Sequence, residues 1–181
     1  MQWMEEVQKR LDRKNQILFS QENPLFEELS LLIQQSTHRA AVLWAFEFTE
    51  QIVQTLQSRY PQDGRPANTL ALSRDWAAGR IKMPVAKQAI LQVHVMAKEL
   101  SSPADAARCH AIGQACGVVH TKGHALGLPI YELTAIVREQ GMEHCQDAVQ
   151  ARNQQYVQRM RYWQQNYQEY SGSWAAFLLA D

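Results

Sequence analysis

The sequence predicts an all-α fold, a single-domain antiparallel bundle of about seven or eight helices, on three observations. Apolar residues recur at helical spacing in nearly every segment. No stretch alternates with period two, and the one Asp-Gly pair, Asp63-Gly64, separates two helical patterns rather than two strands. The connections are short and marked by Pro, Gly and Ser, so neighbouring helices should pack antiparallel. A chain of 181 residues suits one domain, taken as 1–181. Residues 1–36 form N-terminal helices, and 142–170 a long C-terminal helix.

Taken in order, Trp3, Met4, Val7 and Leu11 make the first amphipathic stripe. Asn23-Pro24 marks the next start, with Pro at a first helical position. Leu25, Phe26, Leu29, Leu32 and Ile33 follow at helical spacing. Ser36 is a candidate cap for a long helix from Thr37 to about Arg59, closed by Tyr60-Pro61-Gln62-Asp63-Gly64. Arg65-Pro66 opens a helix that stops at Gly79. Pro84 opens one to about Leu100. Ser101-Ser102-Pro103 links to a helix expected to run from Pro103 towards Gly123 or Gly127. Pro129 starts a short helix ended by Gly141. A helix from Met142 to about Tyr170 precedes an apolar end, Trp174 to Ala180.

Apolar residues make up 46%, aromatics 9% and charged residues 20%, as in globular proteins. Lys plus Arg is 18 and Asp plus Glu is 18, so the formal charge is zero. That balance argues against a nucleic-acid partner and a polybasic membrane anchor. The longest apolar run, Ala40 to Phe46, is far short of a membrane span, so no membrane partner is expected. The start at Met1 lacks a basic and apolar signal segment. Three cysteines, Cys109, Cys116 and Cys145, without such a signal point to a reducing, cytoplasmic setting. Cys109 and Cys116, roughly 10 Å apart along one helix, cannot close a disulfide.

The segment Ala111 to Ala125 is the most informative. Gly113 and Gly117 lie one turn apart, each costing about 1 kcal/mol against Ala in a helix interior. Close approach of another backbone would compensate. His120 and His124, read as i and i+4 on the same helix, are weak candidates for a metal pair. Against that, the residue after His120 is Thr, not the Glu of a zinc-protease motif, and no Glu-x-x-His pair is present. No metal or other cofactor is therefore expected. Hairpin geometry sets His94 against Cys109 or His110, with His120 roughly 15 Å further along.

Glu47 sits among apolar neighbours in Trp44-Ala45-Phe46-Glu47-Phe48 and needs a partner. Arg74 is the one expected, tying two helices. Arg74, Trp76 and Arg80 share a face of the kind enriched at interfaces. Val149, Tyr156, Trp163 and Tyr170 repeat every seven residues, a seam that serves either the core or a homodimer of the C-terminal aromatic helix. There is no nucleotide loop, Gly-x-Ser-x-Gly elbow or Cys-x-x-Cys, and no catalytic residue is assigned.

Several ordered motifs carry a resemblance. They are Leu43-Trp44-Ala45 through Glu47 to Glu50, Tyr60-Pro61 to Arg65-Pro66, and Arg74-Asp75-Trp76-Ala77 to Ile81. They continue with Ala86 through His94 to Lys98, Gly113-Gln114-Ala115, His120, His124-Ala125 and Tyr131. Over residues 38–140, with Arg161-Tyr162-Trp163-Gln164, the chain resembles the bacterial putative immunity protein family, small helical proteins linked to polymorphic toxin systems. The resemblance implies a cognate protein toxin as partner, neutralised by surface complementarity. The competing class is a small-ligand- or metal-binding bundle enzyme with a pocket of His94, His120, His124 and Glu47. Either way the binding residues expected are Glu47, Arg74, Trp76, His94, His120 and His124.

Overall fold

A computed structural model describes residues 2–180 and contains, among them, eight α-helices and no strand. They are α1 (Gln2–Asp12), α2 (Glu27–Gln35), α3 (His38–Arg59), α4 (Arg65–Ala77), α5 (Met83–Glu99), α6 (Pro103–Gly117), α7 (Gly127–Gln140) and α8 (Gln146–Asn166). The predicted all-α bundle is what the chain forms. No described helix is long and apolar enough to cross a membrane.

Helix starts follow local chemistry. The Asn23 and Ser102 side chains accept from the backbone N–H of Leu25 and Asp105. The cap of α3 is Thr37, not Ser36: its hydroxyl oxygen accepts from Ala40 N at 3.2 Å. Ser36 instead donates to Ile33 O at 2.8 Å and closes α2. Pro66, Pro84 and Pro103 stand in the first turns of α4, α5 and α6, where no N–H is needed.

Two helices form the centre. α3 buries residues on nearly all its faces, from Ala40 to Leu56, against α4, α6 and α8. α6 is rich in Ala, Gly and Cys, so it fits tightly among α3, α4, α5 and α7. α5 lies outside, packed mainly on α4 and α6. α8 returns along α2, α3 and α7.

Its heptad seam is largely core. Val149 and Tyr156 are completely buried, Trp163 is half-buried, and Tyr170 lies beyond the helix and is exposed. Trp44 donates its indole N–H to Tyr156 O at 3.0 Å, and the Phe48 and Tyr156 rings meet at 4.5 Å. The Tyr156 hydroxyl donates to Glu132, which also pairs with Arg152 at 2.7 Å.

A second buried network ties α3, α6 and α7. Asp105 pairs with Arg59 at 2.6 Å and Arg108 at 2.8 Å, and accepts from the Tyr60 hydroxyl at 2.9 Å. Glu139 closes the ring through Arg59 and Arg108.

Three helix ends differ from the expectation. α6 stops at Gly117 and unwinds through i to i+3 turns, His120 N bonding Gly117 O at 3.0 Å. A short 3-10 turn, Lys122–His124, capped by Thr121, follows before α7. α8 begins at Gln146 rather than Met142, because Gly141 (φ +78°) ends α7 and Cys145 N turns back to Gly141 O. It ends at Asn166, short of Tyr170. The C-terminal segment then crosses the end of α4, where Ala175 N donates to Ala77 O at 2.7 Å and Leu178 is buried.

Candidate functional site

The unwinding after Gly117 builds a cavity. The connection folds back over the end of α6 and lays the His124 ring against Gly117: a Cβ at Gly117 would lie 3.2 Å from two ring carbons. His124 Nδ1 stands 3.1 Å from Gln114 Oε1. On the opposite wall, a Cβ at Gly113 would lie only 2.3 Å from His94 Nε2. Both glycines therefore make room for imidazoles, not for the neighbouring backbone that the sequence suggested.

Trp76, His94, His120 and His124 line this hollow of about 270 Å³, with Met83, Lys87, Ile90 and Gln114. Trp76 stacks on His120 at 6.5 Å between centroids, inclined 22°. Phe177 from the C-terminal segment sits 6.2 Å from Trp76 on the same indole. His94 meets His110 as hairpin geometry predicts, Nδ1 to Nδ1 at 2.7 Å. It reaches the same hollow as His120 and His124 because α6 has ended.

Burial disfavours the charged form of His94 and His124 in the hollow. Burial, then the neighbouring His110 and Lys98, push His94 down to about 4. Burial and Lys98 lower His110, and burial and His120 lower His124. Neutral imidazoles both donate and accept hydrogen bonds. Set beside Trp76, Met83 and Ile90, His94 and His124 offer a flat, largely apolar surface with hydrogen-bonding edges.

The metal-pair geometry is absent. His120 and His124 are not i and i+4 of one helix, and His124 Nδ1 is engaged by Gln114. Among the described residues, no group of three or more His, Cys, Asp or Glu is arranged to hold a metal.

Glu47 and Arg74 do not pair, and neither lines the cavity. Glu47 faces α8: Arg159 Nε lies 2.6 Å from its Oε1, and Trp163 donates its indole N–H to Oε2 at 2.6 Å. Arg74 pairs instead with Glu50 at 3.0 Å, on an exposed surface. The reason is rotation: three residues along α3 turn the side chain by about 60°, from the α8 side to the α4 side. Trp76, His94, His120 and His124 are legible as binding residues in the sequence, but Gln114 and Lys87 are not, because their signal lies in packing across α5 and α6.

A family model matches residues 31–159, from α2 into α8, and takes in all six of the expected binding residues. No curated protein and no solved structure matches the chain. Covering well over half the sequence, and agreeing with the motifs from Leu43 to Tyr131, the match places the chain in the Imm-5 like putative immunity protein family.

Proposed function

We propose that the protein binds a cognate protein toxin through the face centred on α5 and neutralises it by surface complementarity. One observation carries the reading beyond the family. Among the described residues, four of the nine exposed large hydrophobic side chains (Met83, Val85, Leu91 and Val95) stand on α5. Lys87, Leu91, Val95 and Lys98 fall on one stripe of that helix, within about 80° of arc. Apolar side chains gathered on one outer helix mark an interaction surface.

Neither lysine enters an ion pair among those described. The complementary toxin surface is therefore apolar with acidic residues at its edge. Met83 and Lys87 of the same helix line the Trp76 cavity, whose volume of about 270 Å³ has room for one apolar anchor side chain.

The test is binding to the toxin encoded beside this chain. Leu91→Asp and Val95→Asp alter exposed positions and should leave the helical circular dichroism unchanged. Each should weaken toxin binding by tenfold or more, since central contacts are worth about 2 kcal/mol. Parental affinity in both variants overturns the reading. A neutral small molecule retained by the free protein, unaffected by these variants, would shift the function to the histidine-lined cavity.

A further inference from the structure

A second hollow lies on the other side of the His94–His110 contact, and of its lining the toxin reading uses Lys98 alone. Its volume is about 430 Å³, within the range of small-molecule sites. Its floor is small and apolar because Ala97 on α5 and Ala106 and Ala107 on α6 leave space. His110 and Tyr131 form one wall, their rings 5.2 Å apart. His110 has Nδ1 committed to His94, so Nε2 is the ring nitrogen left for a ligand.

Three cations complete the lining: Lys14, Lys98 and Arg138. No carboxylate is among the lining residues. Arg138 is oriented by donating Nη2 to two backbone carbonyls, Asn15 O at 2.8 Å and Gln16 O at 3.2 Å, which fix its position without neutralising its charge. Lys14 and Lys98 are exposed and enter none of the described ion pairs. Of the acidic groups nearest in sequence, Glu99 is engaged by Arg65 and Glu139 by Arg59 and Arg108, while Asp12 accepts from the Gln8 side-chain amide and does not line the hollow. Three like charges thus line one hollow with no carboxylate among them.

We propose that this cavity binds a small organic anion, a carboxylate on an apolar body. The carboxylate sits among Lys14, Lys98 and Arg138, and the body lies over the alanine floor against Tyr131 and His110. A bare inorganic anion would use the cations alone and leave the floor empty. A neutral molecule would leave three cations uncompensated.

The test uses the full chain alone, with no toxin present, so it succeeds or fails independently of the toxin reading. The probes are benzoate, its neutral analogue benzamide, and inorganic phosphate, titrated at low ionic strength by NMR. Benzoate should shift the ring signals of His110 and Tyr131. It should bind at least tenfold more tightly than either benzamide or phosphate. Lys14→Gln and Lys98→Gln alter exposed side chains away from the core, and together they should reduce benzoate affinity at least tenfold. Arg138 is spared because it also holds the segment after α1. Benzamide binding as well as benzoate, phosphate binding as well as benzoate, undiminished affinity in the double variant, or unmoved His110 and Tyr131 signals would each overturn the proposal.

Discussion

His94 and His110 share one hydrogen bond, Nδ1 to Nδ1 at 2.7 Å, that joins α5 to α6. One nitrogen must donate and the other accept, so a single proton lies between the rings. His94 lines the hollow beside Trp76, and His110 the one beside Tyr131. Two cavities on opposite sides of a helix pair thus share a wall of two imidazoles.

That wall predicts a stability loss in mild acid. His94 is pushed down to about 4, chiefly by burial, while a histidine in an unfolded chain titrates near ~6.5. As pH falls from about 6.5 to about 4, the unfolded chain takes up a proton that the folded one refuses. Stability therefore falls across that window. Melting temperatures at pH 7, 6 and 5 should drop more steeply in the parent than in His94→Gln. Equal slopes would show that His94 is not buried as described.

The Asp105 network should respond at lower pH. Burial alone would raise the Asp105 carboxyl, but the Tyr60 hydroxyl and the Arg108 and Arg59 guanidinium groups hold it below the usual carboxylate value. Its contribution is present above the unfolded value and is lost as pH falls through the folded one. Asp105→Ala leaves Arg108, whose side chain is 9% exposed, short of one partner. The cost in urea melts should be roughly 3 kcal/mol, against about 1 or less for Arg74→Ala at an exposed pair. Similar costs for the two would contradict the buried assignment.

The sequence reading succeeded where one face of a helix is apolar and failed where every face is small. α1 and α5 declare themselves by spacing. α6 does not: rich in Ala, Gly and Cys, its pattern continues past Gly117 without a break. What ends it is tertiary, the His124 ring folding back onto Gly117. The same blindness explains the site. Trp76, His94, His120 and His124 do gather, but through that fold-back and not through a shared helix face. Glu47 and Arg74 were matched by charge, yet a one-turn difference along α3 assigns Arg74 to Glu50 and Glu47 to Arg159.

Gly113 and Gly117 should separate under substitution. A Cβ at Gly113 meets His94 Nε2 at 2.3 Å, far inside contact distance. Gly113→Ala should therefore cost about 1–3 kcal/mol by overpacking, with much of the loss recovered in combination with His94→Ala. At Gly117 the nearest atom is 3.2 Å away. There a smaller gain in helix propensity, at the last residue of α6, offsets the tighter contact. Thermal melts of Gly117→Ala should lie close to the parent. A larger loss at Gly117 than at Gly113 would reverse the geometry.

Lys14 should be worth more as a charge than as a residue of the fold. It ends α1 in the left-handed region, φ +57°, where its N–H reaches Leu11 O and the Asn15 N–H reaches Arg10 O. That turn favours glycine, and a side chain there costs about 1 kcal/mol. Lys14→Gly should raise stability by about that amount in denaturant melts. A destabilised variant would mean that the lysine side chain supports the turn.

Cys109, Cys116 and Cys145 are all unpaired and buried, and burial pushes the first two thiols up to about 12. Such thiols are poor nucleophiles until their surroundings part. The folded chain is thus a stopwatch with three hands. Two sit on the central helix and the third at the base of the last helix. A thiol reagent added in excess reads each hand only when its own neighbourhood opens. Site-resolved labelling rates would tell whether the centre yields separately from the last helix or the whole molecule gives way at once.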